Sequence, residues 1–309
     1  MRRPVAAALL SIALAAPAVA QAPAPDVAQW QGERALADIV TQVSFGSRAM
    51  GTPGHEMTIA FIEAQLRALG IEPRRQTADF AADGPTHTIT NIIASIYPSA
   101  MKRIILATHY DSIIRAYRDP QNPDAPMPGA NNSASGVALL LETARALKAQ
   151  QAPPPLGVDF VFFDGEEGAL SLGEGDPHFA PLGSAYFAQH LDEVYPKARP
   201  AEAIDFDMVC WREMKLRPEL GSLQIAPDQV RRFWTTGRLF APAYFTMDPT
   251  PAEIFDDQVA LARVHIPAFL VIGFDYEPWY NTTQDTPDKC SAEALAGVGR
   301  TLMRYLYAH

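Results

Sequence analysis

A single doubly wound α/β domain, with a mixed and mainly parallel sheet and helices on both faces, is the fold this sequence predicts. Two observations predict it. Short runs rich in Val, Ile and Phe recur along the chain with little hydrophobic alternation, as strands buried on both faces do. Between several of them lie stretches whose apolar residues repeat at helical spacing, and strand alternating with helix argues for parallel strands joined by helical crossovers.

The elements follow in order. Arg2 and Arg3 precede the apolar run VAAALLSIALAAPAVA, which closes on Ala18-Val19-Ala20. Residues 1–20 therefore read as a secretory signal peptide with an Ala-x-Ala cleavage site, too short for a membrane span. An exported protein, periplasmic or extracellular and without stable membrane insertion, is the expectation. Residues 21–34, rich in Ala, Pro and Gln, read as a flexible leader, and 35–309 as the domain. A helix is expected over 56–69, with Met57, Ile59, Phe61, Ile62 and Leu66 apolar and Gly70 as its stop. Strands are expected at 88–97, 103–108, 158–163, 203–209 and 268–272, and helices at 133–150, 182–195 and 291–308. The Pro-rich stretches 119–129 and 151–157 read as loops within one domain.

Composition narrows the function. With 25 Lys and Arg against 35 Asp and Glu, the net charge is −10, and no basic face offers itself to nucleic acid. The two cysteines, Cys210 and Cys290, do not form a Cys-x-x-Cys pair, and export permits them to bond to each other. No Gly-x-Ser-x-Gly occurs, which removes the serine hydrolases of α/β type.

In an open parallel sheet, ligands bind beyond the carboxyl ends of the strands. His109 and Asp111 follow one strand, Asp164, Glu166 and Glu167 another, and Asp207 ends a third; Trp279, Tyr280, Asn281 and Asp285 come after the last. Carboxylates this close repel and raise one another's pKa unless something cationic sits among them. A metal ion would serve: a hydrolytic centre needs His and carboxylate ligands plus an unligated Glu to accept a proton from water. Two adjacent glutamates can divide those duties. His265, opening an apolar run, reads as a core residue.

The motifs FGSRAMGTPGH, THYDS (108–112), GANNSASGVALLLETARAL (129–147), FFDGEEG (162–168), LGSAYFA (182–188), DFDMV (205–209) and TTQDTPDK (282–289) extend this pattern. Together they make the chain resemble the co-catalytic zinc exopeptidases, which include secreted bacterial aminopeptidases and the related glutaminyl cyclases. The resemblance implies that His109 and Asp207 hold one zinc, that Glu167 helps hold a second, and that Glu166 is the general base. It makes Asp111 the carboxylate that orients the imidazole of His109.

Two positions depart from the family. Asn132 stands where the bridging carboxylate belongs, and Asn281 where the last histidine belongs. A neutral amide oxygen is a poor zinc ligand beside carboxylate or imidazole, so one zinc is expected rather than two. Cyclases of the family hold their single zinc at the positions matching Asn132, Glu167 and Asn281. Yet HYDS, FFDGEE and the pair Asp256-Asp257 are cyclase-like, although Gln258 follows that pair where cyclases have His. Asp256, Asp257, Trp279 and Tyr280 are expected in the substrate pocket. The expected function is a secreted zinc-dependent exopeptidase of aminopeptidase type acting on peptides. The alternatives are a glutaminyl cyclase-like enzyme and a non-catalytic binder of peptide termini.

Overall fold

One six-stranded sheet runs through the protein, seen in a computed structural model that describes residues 24–81, 86–168 and 181–309. In chain order the strands are β1 (Arg74–Ala81), β2 (Thr86–Ile96), β3 (Arg103–His109), β4 (Gly157–Phe163), β5 (Glu202–Asp207) and β6 (Ala268–Ile272). Across the sheet their order is β1-β2-β4-β3-β5-β6. β3 pairs in parallel with β4 and β5, and β5 with β6, while β2 runs antiparallel to both β1 and β4. The mixed, mainly parallel sheet is thus present. The signal peptide expected over 1–20 lies outside the described residues, and among those described no helix is long and apolar enough to cross a membrane.

Successive residues of the central strands face opposite layers, which is why these runs are apolar without alternation. Ile104 and Leu106 of β3 join the larger core, while Ile105 and Ala107 join the other. The larger layer is built on α1 (Gly32–Ser44), α2 (Pro53–Ala68), α3 (Ala134–Lys148), α7 (Pro227–Phe240) and α9 (Ala292–Tyr307). The opposite layer rests on α4 (Leu182–Gln189), α5 (Leu191–Val194) and α8 (Asp257–Arg263); α6 (Leu220–Ile225) leads directly into α7.

Several boundaries differ from expectation for local reasons. α2 starts three residues early because Thr52 caps it, its Oγ1 accepting from His55 N, with Pro53 as the first helical residue. The single helix expected over 182–195 is two short ones, broken at His190. β5 stops at Asp207, since Met208 turns to φ +46°. β1 escaped notice because its sequence RRQTADFA is half-exposed at best and its only neighbour in the sheet is β2.

The stretch expected as a flexible leader over 21–34 needs correction. From Val27 it is packed structure, with a 3-10 turn at Val27–Gln29 and α1 already under way at Gly32. Trp30 is fully buried and donates its indole N–H to Thr143 Oγ1 at 3.0 Å. Its ring lies so close to α9 that a Cβ at Gly299 would come within 2.0 Å of it. Arg34 adds a 2.6 Å ion pair to Glu142. His265 also needs correction: it is exposed, at φ +63° in the turn after α8, rather than in the core.

Cys210 and Cys290, eighty residues apart, form a disulfide. It ties the chain just beyond β5 to the segment that enters α9, and Trp211 and Cys290 form a short bridge beside it. Closing a loop of this length removes much freedom from the unfolded chain. Replacing both cysteines with Ser is expected to lower unfolding free energy by about 2–5 kcal/mol. Urea denaturation would read this as an earlier midpoint, and an unchanged midpoint would refute it.

Candidate active site

Parallel pairing brings the functional side chains together. His109 is the last residue of β3 and lies opposite Phe163 of β4, so Asp164, Glu166 and Glu167 emerge directly beside it. Asp207 closes β5 on the other side of β3. The turn between Asp164 and the glutamates needs Gly165: its φ is +64°, and a Cβ would press to 2.9 Å from Met50 Sδ.

Asp111 organises this edge. One carboxylate oxygen lies 3.2 Å from His109 Nδ1, and the pair accepts the backbone N–H groups of Glu166 and Glu167 at 3.1 and 3.0 Å. The imidazole and the two glutamates are therefore held by a single buried anion. The other ring nitrogen, His109 Nε2, points to Asp207 Oδ1 at 3.4 Å and Glu166 Oε2 at 3.9 Å. Burial alone would lower the pKa of His109, but the charges of Glu166, Asp111 and Asp207 drive it well above the ordinary value. Burial pushes Glu166 well up, and Glu167 up to about 8, in the latter case with Asp111 and Asp207 adding to the effect.

The two asparagines meet at the same place. Asn132 Nδ2 donates to Glu167 Oε1 at 2.7 Å and to Asn281 Oδ1 at 3.3 Å, and Asn281 Nδ2 donates to Tyr117 Oη at 3.2 Å. The residues present divide in their fitness for a metal. His109 Nε2 and Asp207 Oδ1 are buried without a hydrogen-bond partner, and one ligand atom each from His109, Glu166 and Glu167 falls within 4.8 Å of the others. That side fits a zinc ion. The side made by Asn132, Glu167 and Asn281 fits one less well: an amide N–H takes one oxygen of Glu167, and although Asn132 Oδ1 is also buried without a partner, a neutral amide oxygen is a poor zinc ligand.

Two residues with no role assigned from the sequence support the loops. Asp285 accepts the N–H groups of Asn131 and Asn132 at 2.8 and 3.0 Å and the hydroxyl of Tyr276 at 2.8 Å. Burial raises its pKa to about 6 against those bonds. Arg48, also fully buried, donates to the carbonyls of Pro128 and Gly129 at 2.7 Å each; burial lowers it to about 10 while Asp285, Asp111 and Glu167 hold it charged. Arg48 stands within the quoted motif FGSRAMGTPGH, the one sequence signal that could have singled it out.

A second carboxylate group lies behind the first. Asp205, Asp256 and Asp257 bring one oxygen each within 4.8 Å of the others. Asp256 caps α8 by accepting from Asp257 N, and Asp205 accepts from Gln258 N at 2.9 Å. Burial raises the pKa of all three, Asp256 to about 7, and the neighbouring carboxyls add to the rise.

A cavity of about 570 Å³ opens over Glu166, Glu167, Asp207 and Asp256, with Ile113, Tyr117, Ile254, Phe255, Phe274 and Tyr280 along its wall. That volume suits a small organic ligand or short peptide. Of the four expected pocket residues, Asp256 and Tyr280 line it and two do not. Asp257 is fully buried behind Asp256, and the ring of Trp279 turns aside to carry Lys289 Nζ at 4.6 Å.

The sequence profile of Peptidase family M28 matches residues 91–306, and the chain belongs to that family. The glutaminyl-peptide cyclotransferase-like protein of Bos taurus is 24% identical over 280 residues, which are 84% of this chain and 71% of that protein. A zinc-dependent exopeptidase from Parabacteroides distasonis superposes with a TM-score of 0.83 at 28% identity, over 91% of this chain and 99% of its own. A glutaminyl cyclase from Tannerella forsythia does so with a TM-score of 0.83 at 29% identity, over the same shares.

The buried acids give a pH test. A carboxyl with a raised folded-state pKa keeps a proton that the unfolded chain has lost, so its stability is full below the ordinary carboxylate range and declines as pH rises. Glu167, Asp256 and Asp285, at about 8, 7 and 6, place the decline between about pH 5 and about pH 8. Asp119, held at about 2 chiefly by its bond from Thr283, makes its opposite contribution below that window. Metal-free protein should show a falling calorimetric midpoint across the window; a rising one would contradict the burial of these charges.

Proposed function

We propose that this member of family M28 is an exported, zinc-dependent exopeptidase of aminopeptidase type, holding one ion between His109 and Asp207. The observation that carries the reading is that pair of buried atoms, Nε2 and Oδ1, 3.4 Å apart and without other partners beside Glu166. Glu167, which together with Glu166 brings an oxygen within 4.8 Å of a ring nitrogen of His109, would complete the set.

A bound zinc would supply Lewis acidity at the scissile carbonyl. The protein's own groups do the rest. With Asp111 beside Nδ1, Nε2 is the nitrogen that would face a metal, which would have to displace the proton that the surrounding carboxylates favour there. Glu166, whose affinity for a proton is raised by its burial, would take a proton from the attacking water and return it to the leaving amine. Carboxylates lining the cavity favour a substrate ammonium, which is what a peptide N-terminus brings. Export is supported by the signal-like residues 1–20 and by the disulfide, which persists in oxidising compartments.

A cyclase reading has the support of the relatives bearing that name. Geometry weighs against it, because the hydrogen-bonded trio of Asn132, Glu167 and Asn281 sits at the positions where the resemblance would put the cyclase zinc.

Elemental analysis after gel filtration should find about one zinc per chain, and Asp207→Ala should lose it. Glu166→Gln should keep the metal and lower kcat on aminoacyl amides by about 10²–10⁴-fold. Release of pyroglutamate from glutaminyl peptides, with no cleavage of other N-termini, would favour the cyclase instead. No zinc even after it is supplied would sink both enzymatic readings and leave a binder of peptide termini.

A further inference from the structure

The cavity is lined by the carboxylates of Glu166, Glu167, Asp207 and Asp256 but also by two cations, Lys215 and Arg217. Their placement follows from the backbone. Leu216 between them is fully buried; it donates its N–H to Tyr244 O at 2.7 Å and accepts from Thr246 N at 3.0 Å. In such extended pairing alternate residues project to the same side. With Leu216 turned into the core, Lys215 and Arg217 face the cavity together.

Both side chains are tethered without being neutralised. Lys215 Nζ donates to Ala243 O, and Arg217 Nε to Pro249 O at 3.1 Å. Among the described residues neither makes an ion pair with a carboxylate. Of the other acids on this wall, Glu253 is engaged by Gln224 Nε2 at 2.7 Å, and Asp275 pairs with neither cation. Two fixed, unanswered cations in a partly enclosed apolar groove favour an anion over water, and a planar guanidinium favours a carboxylate in particular.

We propose that Lys215 and Arg217 bind a carboxylate of the substrate, so that the preferred substrates are short peptides with an ammonium at one end of the cavity and an anionic group at the other. This rests on the exopeptidase reading for the ammonium end. The carboxylate has two possible sources, the C-terminus of a short peptide or an acidic side chain beyond the first residue, and the two are separable by experiment.

The test is calorimetric binding to Glu166→Gln protein supplied with zinc, so that peptide is not consumed. Three probes are compared: a neutral tripeptide, its C-terminal amide, and an amide carrying Glu at the third position. The free acid is expected to bind about tenfold more tightly than its amide, the scale of one charge-assisted contact. Adding Arg217→Gln should collapse that ratio toward one, with Lys215→Gln, more exposed and less costly to fold, as the second variant. If only the Glu-bearing amide gains affinity, the proposal holds with a side chain as the source. Equal binding of all three probes would overturn the proposal while leaving the exopeptidase reading intact. Failure of every probe to bind would overturn both.

Discussion

Buried negative charge at one edge of the sheet is the constraint on which the rest of this structure depends. Asp111, Asp164, Glu166, Glu167, Asp205, Asp207, Asp256, Asp257 and Asp285 are all buried there, among the basic side chains of Arg48, His55 and His109. Buried charge is costly unless it is paired, hydrogen-bonded or neutralised by a proton, and all three remedies are in use. Asp285 receives two backbone N–H groups and a tyrosine hydroxyl beside Arg48. Asp164 receives His55 at 2.8 Å and Thr90 N at 2.7 Å. Burial raises the pKa of Asp205, Asp256 and Asp257, which favours their protonated forms. Asp207 Oδ1 and His109 Nε2 are among the buried atoms left without a hydrogen bond, and Asp207 lines the cavity.

Those same bonds position the catalytic loops. Asp111 anchors the turn carrying Glu166 and Glu167, and Asp285 with Arg48 anchors the loop carrying Asn132. The disulfide lies three residues beyond Asp207 and five beyond Asp285, so it fastens two of these segments to each other outside the site. Site geometry is therefore over-determined by contacts that lie behind the reacting groups. Rigid placement of this kind is what lets a few side chains act on a substrate together.

The asparagines alter the balance without disturbing this frame. The amide of Asn132 donates to both Glu167 and Asn281, so a neutral donor lies against one oxygen of that carboxylate. Charge on the other side, and the cations farther along the cavity wall, remain available to a ligand.

Much of this was legible in the sequence. Runs such as RIILAT and VDFVFF announced strands buried on both faces, because burial on both sides leaves few polar positions in them, and the buried Asp159 is answered by Arg103 at 2.6 Å. Their terminal His109, Glu166, Glu167 and Asp207 announced a site, because parallel strands must deliver their carboxyl ends to one edge. Other features had no local signal. β1 is polar and takes its order from β2; Trp30 looks like part of a loose leader until α9 and α3 close over it. Asp257 and Trp279 turn away from the cavity that their neighbours line. Spacing along a chain sets which residues share a strand end and which chemistry they bring. Pairing of Cys210 with Cys290, the burial of Arg48, and the joining of Lys215 and Arg217 to the cavity were decided only when distant segments packed, because each depends on a partner that no local pattern specifies.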